Sequence, residues 1–271
     1  MHIFFSSPPH HSELKYLKSR NFYIPSDPHV QFKDDQVNNG VDNSSSHPQL
    51  IIAPNQYNKT PSNNQFSIDN GNLTLIKLEL EKMNQEQFIH NLNKFGLRLN
   101  TESVVIVVQV HDRLEYLKIL FDSLKAVRKI EESLLIISHD VFSKELNELV
   151  MSIDFCPVMQ VFYPVSAQLH PGEFPGENPN DCPRDIKKDE ALKIKCLNAE
   201  HPDKYGHYRE AKYCQTKHHW FWKLHHVFDE ITVMKDYEGL VLLLEEDYYV
   251  APDTIIVLQM MQNLQKRSVF G

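Results

Sequence analysis

The amino-acid sequence predicts an α/β protein whose mostly parallel sheet is flanked by helices, and three observations carry that expectation. Short, nearly uninterrupted apolar runs at 103–110, 134–138, 158–163 and 240–244 read as strands buried on both faces. Between them lie stretches with apolar residues at helical spacing. The resulting alternation of strand and helix implies βαβ units joined by right-handed crossovers.

In chain order, residues 1–74 are dominated by Ser, Asn, Pro, His and Gln, with few sustained apolar runs. Such a segment buries too little surface to offset chain entropy, and is expected to be disordered or stalk-like. Residues 75–100 carry Leu75, Leu78, Leu80, Met83, Phe88, Leu92 and Phe95 among charges, the pattern of an amphipathic helix broken or capped near Gly96. The α/β unit then occupies 101–271. Its first strand, 103–110, is β-branched throughout most of its length and suits a central position. A helix is expected over 114–127, a strand over 134–138, a helix over 143–151 with Ser143 as N-cap, and a strand over 158–163. Residues 164–205 contain Pro171, Pro175, Pro179, Pro183 and Pro202 and read as loop. A long helical pattern follows over 207–234, then the strand 240–244 and a helix over 253–265.

A chain of 271 residues with 41% apolar content can bury an ample core. The formal charge of −8, without a basic cluster, excludes a nucleic-acid partner. No stretch approaches the ~20 apolar residues of a transmembrane helix, and residues 1–5 lack the basic start and long apolar core of a signal peptide. Four cysteines fit either an oxidising or a reducing compartment. Sequons begin at Asn43, Asn58 and Asn72, of which Asn72 is the most credible, just ahead of the first helix.

The apolar run 240–244 stops at three consecutive carboxylates, Glu245, Glu246 and Asp247. Ligands of open α/β sheets bind beyond the carboxyl ends of the strands. Acids there either hold a hard divalent cation, which in turn holds a diphosphate, or simply form a solvated turn. With only eight glycines and no Gly-rich phosphate loop, metal-mediated binding is the route left for a nucleotide. Strand alternation would send Glu245 and Asp247 to one face and Glu246 to the other. Gln109, Val110, His111, Asp112 and Arg113 close the first strand. Arg113 offers a fork of donors to phosphate or base oxygens, or the segment is a polar strand exit with His111 bonded to backbone. Asp140 ends the second strand and either accepts from a nucleotide or caps a helix. His218, His219, His225 and His226 read as helix surface and core; a zinc site would need converging ligands that the sequence does not pair.

Six motifs occur in a fixed order: Val108-Gln-Val-His-Asp-Arg113, Ser138-His-Asp140, Asp181-Cys-Pro-Arg-Asp185, Gly206-His-Tyr-Arg-Glu-Ala-Lys212, Gln215-Thr-Lys-His-His-Trp220 and Glu245-Glu-Asp247. Together they resemble the N-acetylglucosaminyltransferase II family of N-glycan maturation, from about Thr101 to Gly271. The resemblance implies a GT-A-type Rossmann-like sheet whose C-terminal part is missing. It implies transfer of N-acetylglucosamine from UDP-GlcNAc, in β-1,2 linkage, to the α1,6-linked mannose of a mannose-terminated N-glycan acceptor. It places a manganese ligand at Asp247 and donor contacts at Gln109, Val110, His111, Asp112, Arg113, Asp140, Gln215, Thr216, Lys217, His218 and His219. A lysine in the last group would neutralise diphosphate charge; Trp220, Phe221 and Trp222 read as core packing, with Trp220 bordering the sugar pocket as the alternative. A Cys182–Cys196 disulfide is implied, around a polar loop, with Cys156 a buried free thiol and Cys214 unassigned. The implied setting is the luminal side of the Golgi membrane, through an N-terminal anchor that this sequence lacks. The catalytic base and second metal ligand of the family are expected beyond Gly271, so the chain is expected to be truncated at both ends and inactive alone; the alternative is a nucleotide-sugar-binding remnant.

Overall fold

A computed structural model describes residues 4–5, 50–51 and 72–269. The expected stalk over 1–74 lies almost entirely outside them. Two short strands from that region, β1 (Phe4–Phe5) and β2 (Leu50–Ile51), pair with the folded part. The chain continues through α1 (Leu73–Glu86), β3 (Ile89–His90), α2 (Leu92–Phe95), β4 (Arg98–Leu99), β5 (Val104–Val110), α3 (Leu114–Lys125) and β6 (Leu134–His139). Then come α4 (Lys144–Met151), β7 (Val158–Phe162), α5 (Lys188–Ile194), α6 (Ala211–His225), β8 (Leu240–Glu245) and α7 (Thr254–Val269).

The main sheet has the order β1-β8-β5-β6-β7-β3. Its four long strands are parallel, with Val107 of β5 opposite Ile136 of β6 and Leu243 of β8. Strands β1 and β3 add antiparallel edges of two residues each. This is the mostly parallel α/β sheet expected. Alternation along β5 explains its composition. Val104, Ile106, Val108 and Val110 pack on one face with Leu117, Leu120, Leu124, Leu146 and Ile255, while Val105 and Val107 pack on the other with Ile89, Leu97, Val227 and Val233. Helices α3, α4 and α7 thus cover one face, and the 89–99 and 227–237 segments the other. Helix α4 starts at the expected cap, where Ser143 Oγ accepts from the Leu146 amide at 3.4 Å. Helix α7 leaves Val257, Met260, Met261 and Leu264 exposed. Among the described residues no helix is long and apolar enough to cross a membrane.

Three elements differ from expectation. The single helix over 75–100 ends at Glu86, because Gln87 takes a left-handed φ of 47° and turns its carboxamide outward. Gln87 Nε2 donates to the Glu230 carbonyl at 2.9 Å and its Oε1 accepts from the Thr232 amide at 2.8 Å. Ile89 then joins the sheet edge opposite Met159, a burial that a continued helix would forgo. The 164–205 loop contains α5, with Asp189 and Glu190 in its first turn and Lys193 in its last, in the sense the helix dipole favours. The long pattern over 207–234 is helical only as α6, followed by a π turn (His226–Glu230) and a 3-10 turn (Thr232–Met234). Its start is delayed by a turn in which Asp203 accepts from the Tyr205 and His207 amides, each at 2.8 Å.

The long loop before α6 is tied down along its length. A disulfide joins Cys182 and Cys196, as expected, around α5. Gln215 Oε1 accepts from the Ala167 amide at 2.6 Å, and Arg209 pairs with the buried Asp181 carboxylate. Gly176 sits at φ +97°, and a Cβ there would lie 2.3 Å from the Ala211 nitrogen, so only glycine lets the loop press on the start of α6. Cys156 is fully buried and free, and Cys214 is free and half-buried.

Candidate functional site

Strands β5, β6 and β8 end side by side, and α6 passes over them. Their carboxyl ends and the first turns of α6 enclose a cleft of about 250 Å3, lined by Gln109, His111, Arg113, Asp140, Lys212, Tyr213, Thr216, Glu245 and Glu246. Parallel topology makes this convergence: three adjacent strands running the same way deliver their exit residues to one edge.

At the acidic end of β8 Glu246 is set apart from Glu245 and Asp247, as strand alternation would have it. A turn closes at once, with the Tyr248 amide donating to the Glu245 carbonyl at 3.2 Å. Glu246 is turned inward and is only 2% exposed. It accepts from the His111 amide at 2.9 Å and from Arg113 Nε at 2.7 Å, and so pins the β5 exit to the β8 exit. Arg113, at the N-cap of α3, bridges outward as well, donating from Nη1 to Asp247 Oδ2 at 2.9 Å. Glu245 lines the cleft and Asp247 stands half-exposed beside Arg113 at its rim.

Behind the cleft lies a polar chain. Asp140 is buried, and its Oδ1 lies 2.6 Å from His111 Nδ1. Its Oδ2 is 3.5 Å from Nδ1 of the fully buried His219, an ion-pair rather than a hydrogen-bond distance. His219 Nε2 reaches Ser138 Oγ at 2.8 Å. Burial would raise the Asp140 pKa, but the two histidines prevail and hold it down to about 2. The hydrogen bond to Asp140 raises the His111 pKa, whereas burial lowers that of His219. Asp140 is therefore a carboxylate that keeps the half-exposed His111 ring in place; the helix cap is Ser143 instead.

Of the residues expected to touch a donor, the structure brings Gln109, His111, Arg113, Asp140 and Thr216 to the cleft. Val110 belongs to the core, and only its carbonyl reaches Asp140, accepting from the amide at 3.3 Å. Asp112 is exposed at the margin, with Oδ2 3.8 Å from His111 Nε2. Gln215 is buried and holds the loop through Ala167. His218 faces Phe174, with ring centroids 5.9 Å apart, and Lys217 is exposed without lining the cleft. The lysine in the cleft wall is Lys212, with Tyr213 beside it. Lys212, Tyr213 and Thr216 lie on the first turns of α6 at the cleft wall, whereas Gln215 and His219 are buried against the loop and the strand ends. Beneath the cleft, Lys223 Nζ donates to Gln109 Oε1 at 2.9 Å; burial lowers the lysine's pKa to about 7 against the pull of Glu245.

Among the described residues no three His, Cys, Asp or Glu side chains are grouped to hold a metal ion. What the cleft offers a cation is Asp247, exposed beside a guanidinium at the rim, and the partly exposed Glu245 in the wall. That fits a hard cation drawing most of its ligands from a bound diphosphate and water, and does not fit a preformed cage.

A mostly parallel α/β sheet with a polar cleft beyond its strand ends, and no glycine-rich phosphate loop, defines the general class. The chain belongs to the N-acetylglucosaminyltransferase II (MGAT2) family, which it matches over residues 77–270. It is 49% identical over 225 residues to the alpha-1,6-mannosyl-glycoprotein 2-beta-N-acetylglucosaminyltransferase of Sus scrofa, covering 83% of this chain and 48% of that protein. The Homo sapiens enzyme of that name is 51% identical over 197 residues (72% of this chain, 44% of the relative), and that of Arabidopsis thaliana 39% over 184 residues (65% and 42%). The chain thus spans about half the length of the curated relatives it matches.

Proposed function

We propose that the protein serves in complex N-glycan biosynthesis, binding UDP-GlcNAc for β-1,2 transfer of N-acetylglucosamine to the α1,6-linked mannose of a glycoprotein acceptor. The observation that carries this reading is the cleft itself: residues from five of the family's ordered motifs meet at the ends of β5, β6 and β8 and on α6. The sheet is read as the donor-binding half of a GT-A-type fold. His111, Arg113 and Lys212 supply positive or hydrogen-bonding groups to an anionic nucleotide, and Asp140 orients His111. Asp247 would hold manganese together with the diphosphate. When bound, that cation would supply Lewis-acid stabilisation to the departing diphosphate. Glu246 keeps the two strand exits at a fixed separation and leaves Asp247 as the exposed acid.

In the transfer the acceptor hydroxyl oxygen bonds to the anomeric carbon as the bond to the diphosphate oxygen breaks, and the hydroxyl proton passes to a base. We assign no residue of this chain as that base. The Cys182–Cys196 disulfide accords with the oxidising lumen of the Golgi, the setting we propose.

A second reading, donor binding without transfer, is favoured by the absence among the described residues of a cluster of three ligating side chains. One experiment separates the two. Purified protein is given UDP-GlcNAc, manganese and an N-glycan ending in the α1,6-linked mannose, and mass spectrometry follows the acceptor. Addition of one N-acetylhexosamine supports the transferase reading. Donor binding with an unchanged acceptor supports the second, and absence of donor binding refutes both.

A further inference from the structure

Lys223 is 1% exposed, on the inward face of α6, below the cleft rather than in it. A lysine is rarely buried so completely, because its ammonium must find a partner or lose its charge. Its partner is the side-chain oxygen of Gln109, 2.9 Å from Nζ and 114 residues away in sequence. The indole ring of Trp220 lies 5.5 Å from the same nitrogen. Gln109 lines the cleft, and its Nε2 faces the Thr216 carbonyl at 3.4 Å, a long and weak contact. An ammonium is a donor only. With Lys223 charged, the carboxamide has one orientation: oxygen down to the lysine, NH2 up to the cleft.

We propose that Lys223 is a positioning residue for nucleotide recognition, holding the Gln109 side-chain oxygen so that the Gln109 NH2 donates to an acceptor oxygen of the bound nucleotide. A glutamine without that lock has two orientations of similar energy, one of which turns an acceptor toward an anionic ligand. The inference rests on the reading of the cleft as a nucleotide site, and the experiment keeps the two apart.

UDP is titrated calorimetrically, with manganese, into wild-type protein, Lys223→Met, Gln109→Met and the double variant, at about pH 6, below the lysine's pKa of about 7. Each single variant is expected to weaken UDP by about tenfold, the effect of one hydrogen bond to a charged ligand. The double variant is expected to bind no more weakly than Gln109→Met alone, since both changes remove one interaction. Lys223→Met at wild-type affinity overturns the proposal. So do losses that multiply in the double variant, because a lysine that merely props the fold acts independently of Gln109. Should Lys223→Met not fold, wild-type protein labelled with 15N-glutamine decides. The Gln109 NH2 resonances, assigned from the Gln109→Met spectrum, are expected to shift on addition of UDP with magnesium, and stationary resonances overturn the proposal. Absence of UDP binding by the wild-type protein would instead refute the reading of the cleft.

Discussion

Glu246 and Asp247 are adjacent acids with opposite jobs, and removing each should have opposite consequences. Glu246→Ala deletes a carboxylate that is 2% exposed and accepts from the His111 amide at 2.9 Å and Arg113 Nε at 2.7 Å. The change leaves a backbone N–H without its acceptor and a guanidinium without its main partner. With Arg113 44% exposed, the loss is that of the hydrogen bonds to a charged acceptor, about 2–4 kcal/mol in all. At about 2–4 °C per kcal/mol for a domain of this size, the melting temperature should fall by roughly 10 °C. Asp247→Ala removes an ion pair whose side chains are 44% and 36% exposed on the arginine and aspartate sides. Such a pair contributes about 0–1 kcal/mol, so the melt should move by no more than about 4 °C. Thermal melts of the two variants in the same buffer, without added metal or nucleotide, make the comparison. Equal shifts, or a larger one for Asp247→Ala, would refute the division of labour between the two acids.

Two other outcomes follow from the fold. His139 is buried with Nε2 3.0 Å from Gln160 Oε1; burial, aided by the neighbouring His219, lowers its pKa to about 4. The folded state holds it neutral, so its stabilising contribution is complete above the unfolded value of 6.5 and is lost as pH falls from there to about 4. By linkage the loss is at most about 3 kcal/mol, and His139→Gln should flatten the denaturant-midpoint profile across that window; an unchanged slope would contradict the assignment. Cys182 and Cys196 should be recovered as one cross-linked peptide in non-reducing mapping of secreted protein, and reduction should cost about 3 kcal/mol around α5. Free thiols at both positions in folded secreted material would remove the argument for an oxidising lumen.

The four parallel strands were legible because a strand buried on both faces must be apolar without interruption, whatever surrounds it. Helix ends were less so. Nothing local marks Gln87 as a terminus; its turn is stabilised by Glu230 and Thr232, more than 140 residues away. Helix α5 escaped notice because it is short, charged and buries only Ala191. At the site, the ordered motifs located the strand exits and α6, but not which side chains face the cleft. Lys212, Tyr213 and Thr216 meet the cleft while Gln215 and His219 are buried, a division set by what α6 packs against and not by spacing in the sequence. Alternation did set Glu246 apart from its neighbours: it is buried, whereas Glu245 lines the cleft and Asp247 is exposed. Nothing in the sequence marks Lys223 as buried; its partner, Gln109, is 114 residues away.

The central claim is that this cleft binds a uridine nucleotide through a cation held at Asp247. Calorimetric titration of UDP tests it most directly, in manganese, in EDTA, and in manganese with Asp247→Ala. The account predicts saturable binding in manganese, none in EDTA, and an affinity reduced by about tenfold or more in the variant. Equal UDP affinity under all three conditions would contradict it.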